Sequence, residues 1–462
     1  MPHTYEELRI KYPEFVYNGF DITENNDKIV VDFHFSITGL SDFSPRWTFD
    51  KKDNLKCYSD DKTFNEMLFS LGMTELVSYW KITCSPVVNV TVGELNIDQI
   101  NFWKQLYFSG LGEFFYRNEI NVALDDFMTI KCNGKAFEGI SNQVSDNERC
   151  LIAIGGGKDS IASLEVLKSN FENNYCYIIN PRGATLKTAK IAGYGDDKIV
   201  SFKRTLDKNM IELNKKGFLN GHTPFSAIVA FSSIIGAYLN NIKYVVLSNE
   251  ASANESTVKN SDVNHQYSKS FKFEEDFHNY EKEFIKSGVY YFSLLRPMSE
   301  LQIAKSFAKH EKYHSIFKSC NVGSKEDIWC KSCSKCLFVS LILSPYLSLE
   351  KIYKIFDTEI LNDKNMLEDF EKLVGMTDEK PFECVGSIDE INIAVTQAIK
   401  KLDENGEKLP YLFEYYKATP LYNEYKNKPN RFKGYFEEEN LLPEKFKKLL
   451  IDQCYDGGKD FD

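Results

Sequence analysis

The stretch Arg149–Ser160, RCLIAIGGGKDS, decides how the middle of this chain folds. Its first six residues form a short apolar run typical of a buried strand, and the helical pattern IASLEVLKS (Ile161–Ser169) follows its polar end. Strand and helix patterns then alternate from YCYIIN (Tyr175–Asn180) to KYVVLSNE (Lys243–Glu250). Alternation of this kind predicts parallel strands joined by helical crossovers. We therefore predict an α/β fold with a doubly wound parallel sheet, whose ligands bind beyond the carboxyl ends of the strands.

The length of the chain, 462 residues, predicts two or three domains. Residues 1–147 mix alternating strand patterns, such as IVVDFHFSI (Ile29–Ile37), with helical stretches, which predicts an α+β domain. Residues 148–345 contain the predicted parallel sheet. Residues 346–462 are rich in lysine and glutamate with helical periodicity, so we expect a helical C-terminal region.

Charge and cysteine content exclude several classes of function. A net charge of −11 argues against an extended surface for nucleic acid. The N-terminus lacks the pattern of a signal peptide, and the most apolar window, Phe225–Leu239, is too short to span a membrane. Eleven cysteines without an export signal predict reduced thiols in the cytoplasm. We expect neither a nucleic-acid nor a membrane partner.

The glycine loop, Gly155–Ser160, has the composition of an anion site. Glycines bring backbone N–H groups close to an anion, and the N-terminus of the following helix adds partial positive charge. Lys158 offers a positive charge, Asp159 a ligand for Mg²⁺, and Ser160 a hydroxyl. The spacing matches neither the Walker A loop nor the dinucleotide-binding G-x-G-x-x-G. A plain strand–helix turn, capped by Asp159 or Ser160, remains the alternative.

Four cysteines form the pattern C-x9-C-x2-C-x2-C, namely Cys320, Cys330, Cys333 and Cys336. Gaps of two residues let neighbouring thiolates turn onto one ion, and four thiolates close a tetrahedral Zn²⁺ site of the structural kind. An iron–sulfur cluster is the less favoured alternative. The scattered cysteines are interpreted as core residues: Cys57, Cys84, Cys132, Cys150, Cys176, Cys384 and Cys454.

Further polar segments have the composition of a functional site. They are Asn220–Pro224, Ser248–Glu255, Asn264–Ser270 and Arg296–Glu300. His222 and His265 are candidate bases, although a histidine in such a loop is as readily a simple hydrogen-bonding residue. Two carboxylates, Glu250 and Glu255, follow a strand end, where they would hold Mg²⁺ or act as acid and base.

The glycine loop resembles the pyrophosphate loop of the N-type ATP pyrophosphatases, which usually reads S-G-G-x-D-S, although Gly155 replaces its first Ser. Together with the cysteine cluster it is similar to 7-cyano-7-deazaguanine synthase, which carries both elements on one domain. This resemblance implies a PP-loop ATPase domain with a metal site made of four cysteines. The implied ATP ligands are Gly155, Gly156, Gly157, Lys158, Asp159, Ser160 and Asn180.

A broader resemblance, along almost the entire chain, is to the MurL family of UDP-N-acetylmuramoyl-L-alanyl-L-glutamate epimerases. Besides the loop, it is carried by FVYNGF (Phe15–Phe20), LGMTELVSYWKITCSP (Leu71–Pro86), GLGEFFYRN (Gly110–Asn118), Asn220–Pro224, Ser248–Glu255, YFSLLRPMSE (Tyr291–Glu300), CKSCSKCLFVSLILSPY (Cys330–Tyr346) and PFECVG (Pro381–Gly386). The implied substrate is a nucleotide-sugar peptide, UDP-MurNAc-L-Ala-L-Glu, used in peptidoglycan synthesis.

The resemblance implies that ATP and Mg²⁺ are consumed to invert the terminal L-Glu to D-Glu, with release of AMP and diphosphate. Adenylation removes the charge of the carboxylate next to Cα and so makes the Cα proton easier to remove. A base and an acid must then flank Cα. The implied catalytic residues are His222, Glu250, Glu255 and His265, and the implied substrate contacts are Asn249, Asn254, Arg296 and Glu300.

Other functions remain open at this stage. The same fold could adenylate another acceptor, as in a deazaguanine-type ligase or a peptide epimerase from a natural-product pathway. A tRNA-modifying thiolase would use the cysteines for sulfur transfer, which the acidic charge disfavours. A module that binds ATP without turning it over is the non-enzymatic alternative.

Overall fold

The computed structural model describes residues 3–51, 57–137, 142–259 and 263–455. Within these ranges one sheet runs through the molecule, with ten strands on its path and β3 paired beside β2. The strands are β1 (Glu14–Glu24), β2 (Lys28–Ile37), β3 (Ser41–Phe43), β4 (Arg46–Asp50), β5 (Val87–Val90), β6 (Thr129–Cys132), β7 (Cys150–Ala153), β8 (Asn174–Ile179), β9 (Ile199–Thr205), β10 (Tyr244–Leu247) and β11 (Tyr290–Ser293).

The second half of the sheet is parallel, with the spatial order β11-β10-β7-β8-β9. This is the order 5-4-1-2-3 by chain position, in which successive strands are added first on one side of β7 and then on the other. The order reverses between β7 and β10, and the crevice at such a reversal is where open α/β sheets bind ligands. The parallel-rich α/β sheet predicted from the sequence is confirmed.

The first half of the sheet is an antiparallel meander flanked by two parallel strands, β5 and β6. It joins the parallel half through β4, which pairs antiparallel with β9 from Arg46–Thr205 to Phe49–Phe202. The chain on both sides of residue 147 therefore shares one sheet. The division into three domains at residues 147 and 345 stays a prediction.

The helices cover both faces of the sheet and build the C-terminal region. They are α1 (Tyr5–Lys11), α2 (Lys62–Trp80), α3 (Ile97–Gly110), α4 (Gly112–Arg117), α5 (Lys158–Val166), α6 (Gly183–Ile191), α7 (Lys208–Lys215), α8 (Phe225–Leu239), α9 (Phe271–Tyr280), α10 (Glu300–Ala308), α11 (Ser334–Leu343), α12 (Leu349–Phe356), α13 (Leu367–Val374), α14 (Ile388–Glu404), α15 (Tyr411–Lys417), α16 (Pro420–Tyr425) and α17 (Glu444–Cys454).

Alternate residues of the parallel strands face two different cores, as the period of a strand requires. Leu151 and Val245 pack with α2 and α8 in one core, whereas Ile152 and Val246 pack with α5 and α17 in another. Both faces of the parallel half are thus covered, which explains its continuous apolar strands.

A third core joins α10 to the C-terminal helices α11–α16. The last helix, α17, instead returns to the sheet, where Phe446 and Leu450 lie in the core beside α5. The helical C-terminal region predicted from the sequence is confirmed. In the ranges described, no helix combines the length and the apolar character needed to cross a membrane.

Candidate functional site

The glycine loop connects β7 to α5 at the point where the strand order reverses. Gly156 has a φ of +82°, which favours glycine, and a Cβ there would lie 3.2 Å from the Cβ of Ala184. Gly157 is the N-cap residue of α5 and, being glycine, has no side chain with which to cap it. The first turn of α5 therefore presents its backbone N–H groups to a ligand, as anion-binding helix ends do.

A buried cluster of charges lies at this loop. Lys158 is 1% exposed, and its Nζ contacts the carboxylates of Asp159 and Glu300. Glu250, beyond the end of β10, is also buried and acts electrostatically on Lys158. Two further cations, Lys269 and Lys335, act electrostatically on the same acids.

Burial and the neighbouring charges shift the pKa values of these acids in opposite directions. Burial, with the help of Asp159 and Glu250, raises the pKa of Glu300 to about 8, even though Lys158 opposes the shift. Burial alone would raise the pKa of Asp159 as well, but Lys158 and Lys335 lower it. Carboxylate oxygens such as those of Asp159 and Glu300 are the ligands that Mg²⁺ prefers.

Two of the predicted ATP ligands use their side chains within the protein. Ser160 Oγ donates a hydrogen bond to the carbonyl of Gly157 at 3.0 Å. The side-chain amide of Asn180 donates to the carbonyl of Arg204 at 3.0 Å and accepts from its N–H at 2.8 Å. Asn180 thus ties the end of β8 to β9, and a part in ATP binding stays a prediction for both residues.

The predicted substrate contacts are dispersed. Asn249 donates to Ser293 Oγ at 3.0 Å, and Asn254 is exposed and accepts from the N–H of Phe271 at 2.8 Å. Arg296 is fully buried, and its guanidinium pairs with Glu274 at 2.8 Å. The roles of these residues in substrate binding stay predictions.

Arg296 also binds the backbone of two segments of the site. Its Nη1 donates to the carbonyl of Glu250 at 2.6 Å, and its Nη2 donates to the carbonyl of Lys269 at 2.5 Å. The two segments that carry Glu250 and Lys269 are therefore fixed to one buried guanidinium, whose planar donors suit several acceptors at once.

The two candidate histidines lie together. The ring centroids of His222 and His265 are 4.3 Å apart, and both rings face Glu113 from the start of α4. Glu113 Oε2 is 2.6 Å from Nδ1 of His265 and 3.6 Å from Nδ1 of His222. The other carboxylate oxygen, Oε1, accepts from Arg117 at 2.7 Å.

The paired histidines have opposite protonation preferences. Burial would lower the pKa of His265, but its hydrogen bonds with Cys384 and Glu113 raise it to about 9. Burial and the charge of His265 lower the pKa of His222 to about 4. At neutral pH the pair therefore consists of one imidazolium, His265, and one neutral imidazole, His222.

Glu113, His222 and His265 also have the composition of a metal site, since one ligand atom of each lies within 4.8 Å of the others. Two ligand atoms bound tetrahedrally to one zinc-sized ion at about 2.0–2.1 Å would be about 3.3 Å apart. The 2.6 Å between Glu113 and His265 is instead the length of a charge-assisted hydrogen bond. We therefore interpret this group as hydrogen-bonded side chains.

Cys384 corrects the interpretation of the scattered cysteines. It is partly exposed and hydrogen-bonds to His265, so it is not a core residue. Burial would raise the pKa of its thiol, but Lys269, the hydrogen bond with His265 and Lys335 lower it to about 6. The core interpretation is also wrong for Cys57, which is exposed, and right for Cys84, Cys150 and Cys176, which are buried.

Glu255 lies at the margin of this group. Its side chain is 38% exposed and pairs with Lys380. Lys380 also approaches the carbonyl of Gly386 at 3.4 Å and so holds the segment that carries Cys384. Glu255 is thus connected to the Cys384 segment by its ion pair with Lys380.

The sulfur atoms of the four clustered cysteines are spaced as the ligands of a single metal ion would be. Their Sγ atoms are 3.8 Å apart for Cys320 and Cys333, 3.7 Å for Cys330 and Cys336, and 3.5 Å for Cys333 and Cys336. A tetrahedral Zn²⁺ with bonds of about 2.3 Å places its sulfurs about 3.8 Å apart. The backbone N–H groups of Gly323 and Cys330 point at Cys320 Sγ, at 3.2 Å and 3.4 Å. The distances between the sulfur atoms thus fit the predicted metal site of four cysteines.

The cysteine cluster supports the glycine loop directly. The N–H of Lys318 donates to the carbonyl of Gly156 at 2.9 Å, and a Cβ on Gly157 would lie 3.1 Å from the Cβ of Ser319. On the other side of the cluster, Lys335 in the first turn of α11 contacts the carbonyl of Cys384. One metal ion would therefore hold both sides of the site.

Comparison with known proteins identifies the family. Residues 6–294 match the MurL N-terminal domain, and residues 314–421 match the MurL C-terminal domain. The chain belongs to the MurL family.

Three relatives of this MurL-family chain are named UDP-N-acetyl-alpha-D-muramoyl-L-alanyl-L-glutamate epimerase. The protein of Xanthomonas oryzae pv. oryzae is 32% identical over 318 residues, which are 67% of this chain and 69% of that protein. Those of Salinispora tropica and a Micromonospora species are 33% and 31% identical, and the matches cover 73% and 72% of this chain and 74% and 75% of theirs. None of the solved structures matches the chain. The MurL-family chain is thus an enzyme, of the isomerase class.

Three residues of the candidate site were not predicted from the sequence as functional groups: Glu113, Lys269 and Cys384. Each lies in a segment notable for its resemblance or its polarity. Cys384 had the clearest signal, because a thiol beside a glutamate in a segment without strand or helix periodicity is unusual for a core cysteine.

Proposed function

We propose that the chain is an ATP- and Mg²⁺-dependent epimerase that inverts the terminal L-Glu of UDP-MurNAc-L-Ala-L-Glu through adenylation of its carboxylate. The observation that carries the proposal is the link between the loop and the histidine pair. Lys269 interacts electrostatically with Asp159 of the loop, with Glu250 and with Cys384 beside His265. An acyl phosphate formed at the loop would thus lie beside groups able to move a proton.

The loop residues act on ATP in this proposal. The N–H groups of the first turn of α5 and the charge of Lys158 bind the phosphates. Asp159 and Glu300 would supply the oxygens for Mg²⁺, which would place positive charge beside the phosphates.

Adenylation makes the proton transfer possible. The free carboxylate would place a second negative charge beside the carbanion at Cα, whereas the mixed anhydride with AMP is neutral at the acyl group. A base then removes the Cα proton, an acid returns one to the opposite face, and water cleaves the anhydride. The candidates for the acid and the base from the sequence are His222, His265, Glu250 and Glu255.

We further propose that the four cysteines hold structural Zn²⁺. Four thiolates leave no open position for a substrate on a tetrahedral ion. An ion held there would tie the segment of Lys318, which bonds to the glycine loop, to the start of α11.

The test is incubation of the zinc-loaded enzyme with UDP-MurNAc-L-Ala-L-Glu, ATP and Mg²⁺ in D₂O. We expect AMP, diphosphate, D-Glu and deuterium at Cα to appear together. Asp159→Ala should abolish AMP release with zinc still bound, whereas Asp196→Ala, which removes an exposed carboxylate, should not. Absence of both AMP and Cα deuterium in the native enzyme would refute the proposal. AMP release that requires ammonia and leaves Cα unlabelled would identify a ligase instead.

A further inference from the structure

The backbone of the segment Pro381–Gly386 is bound by three side chains. Lys335 of α11 contacts the carbonyl of Cys384, Gln266 Nε2 donates to the carbonyl of Val385 at 3.2 Å, and Lys380 contacts the carbonyl of Gly386. The thiol of Cys384 is therefore presented from an anchored backbone. Fixed geometry of this kind is what a group that transfers a proton requires.

His265 connects the segment of Cys384 to a buried carboxylate. Gln266, next to His265, bonds to the carbonyl of Val385, next to Cys384, and Nδ1 of His265 donates to Glu113 at 2.6 Å. Lys269 and Lys335 act on the Cys384 thiol with positive charge, and Lys335 also contacts the carbonyl of Cys384. Imidazolium and ammonium groups beside a thiol stabilise its thiolate form, which is the reactive form of cysteine.

No metal role accounts for Cys384 among the residues described. The four clustered cysteines already place their sulfurs 3.5–3.8 Å apart, as a closed tetrahedral site requires. Cys384 is partly exposed, so it does not serve as a packing residue either.

We propose that Cys384 is one of the two groups that move the Cα proton, a role that rests on the proposed function. The thiolate of Cys384 takes the proton and becomes a thiol, and the electron pair of the C–H bond moves into the enolate of the adenylated glutamyl group. A second acid–base group returns a proton to the opposite face of Cα and is left as its conjugate base. In the reverse direction the Cys384 thiol donates and that second group accepts.

This assignment changes the role of His265. An imidazole held protonated between Glu113 and Cys384 has no lone pair free to accept the Cα proton. His265 is thus a positioning residue that keeps Cys384 ionised, and Glu113 keeps His265 protonated.

The test separates the two halves of the reaction. Cys384→Ala and Cys384→Ser should still catalyse substrate-dependent exchange of labelled pyrophosphate into ATP. Interconversion of the L-Glu and D-Glu forms should fall by about 10²-fold or more, in line with the loss of one acid–base group. Because only one base remains, deuterium from D₂O should enter Cα of one epimer and not of the other. Cys454→Ala, in α17, is the matched control and should behave as the native enzyme does.

The proposal is overturned if the Cys384 variants interconvert the epimers at the native rate. It is also overturned if the folded variants lose pyrophosphate exchange together with interconversion, since Cys384 would then serve the structure of the site. Cys384→Ser keeps the size of the side chain but offers a hydroxyl too weakly acidic to act as a base near neutral pH, so it separates chemistry from packing.

If the Cys384 variants fail to fold, a measurement on the native, zinc-loaded enzyme tests the proposal instead. Alkylation by iodoacetamide, mapped by mass spectrometry, should modify Cys384 faster than Cys454 at pH 7, and ATP with substrate should protect it. A Cys384 that reacts no faster than Cys454 overturns the proposal. If the native enzyme does not epimerise the muramoyl dipeptide at all, the proposed function fails, yet fast alkylation of Cys384 would still show an activated thiolate.

Discussion

Removing the cation from the buried cluster at the glycine loop should cost far more stability than removing the ion pair as a whole. Lys158 Nζ contacts Asp159 and Glu300, and the side chains of Lys158 and Glu300 are 1% and 2% exposed. Lys158→Met leaves Glu300 buried without its counter-charge, and breaking a buried pair in this way costs about 3–5 kcal/mol. The double variant Lys158→Met/Glu300→Gln has no unpaired charge at this contact, so it should recover about 1–3 kcal/mol of that loss.

The assay is urea denaturation followed by tryptophan fluorescence at pH 8.5, with AMP release measured on the same samples. The pH matters because burial raises the pKa of Glu300 to about 8, so that Glu300 is largely ionised at pH 8.5 in the native protein. Lys158 lowers this pKa, so Lys158→Met raises it further, and the uptake of a proton by Glu300 brings the cost towards the lower end of the range. An exposed pair, Lys351 and Glu311, is the matched control, and its coupling should stay below about 1 kcal/mol. AMP release should be lost in both Lys158 variants. If the effects of Lys158→Met and Glu300→Gln simply add, Lys158 is not the counter-charge of Glu300 and the reasoning is wrong.

Three further outcomes are expected. Gly155→Ser should fold and release AMP normally or faster, because a Cβ at Gly155 meets no described atom within 4 Å. Gly156→Ala should lose AMP release, because alanine is strained at the φ of +82°. Equal rates of AMP release in the two variants would contradict the loop geometry. Cys333→Ser should reduce bound zinc, thermal stability and AMP release together, read by metal analysis and melting; unchanged AMP release would show that the ion does not support the loop. Because the folded pKa of Glu300 is raised from 4.5 to about 8, its contribution to stability is lost progressively as pH rises from 4.5 and is gone above about 8. Glu300→Gln should flatten the decline in urea midpoint between pH 5 and 8; an unchanged slope would contradict the shift.

Local patterns predicted much of the fold and two parts of the site. The strand, glycine loop and helix from Cys150 to Val166 are contiguous in the chain, so composition and period identify them. The four cysteines are equally local, because ligands two residues apart must turn onto one ion. His222 and His265 were predicted from their polar segments, although nothing in those segments indicated that the two rings would lie side by side.

The remaining features depend on contacts between distant segments. Glu113, His265 and Cys384 come from three separate parts of the chain, and each is unremarkable in its own stretch of sequence. An arginine in a polar segment has the same appearance whether its partner is a substrate or a buried glutamate, which explains why Arg296 was predicted as a substrate contact and lies against Glu274. The pairing of β4 with β9 likewise follows from tertiary packing and has no local signal.

The pairing of β4 with β9 has a consequence for folding during synthesis. A nascent chain emerging from the ribosome exposes the free edge of β4 until β9, more than a hundred residues later, has been synthesised. Such long-range pairing slows folding. An unpaired strand edge can also pair with the strands of other chains, which leads to aggregation. Separate expression of residues 148–345 would expose the same edge on β9 and leave Arg204 without Glu75, which binds it through both carboxylate oxygens at 2.5 Å and 2.7 Å. We therefore expect that fragment to aggregate unless residues 1–147 are supplied with it.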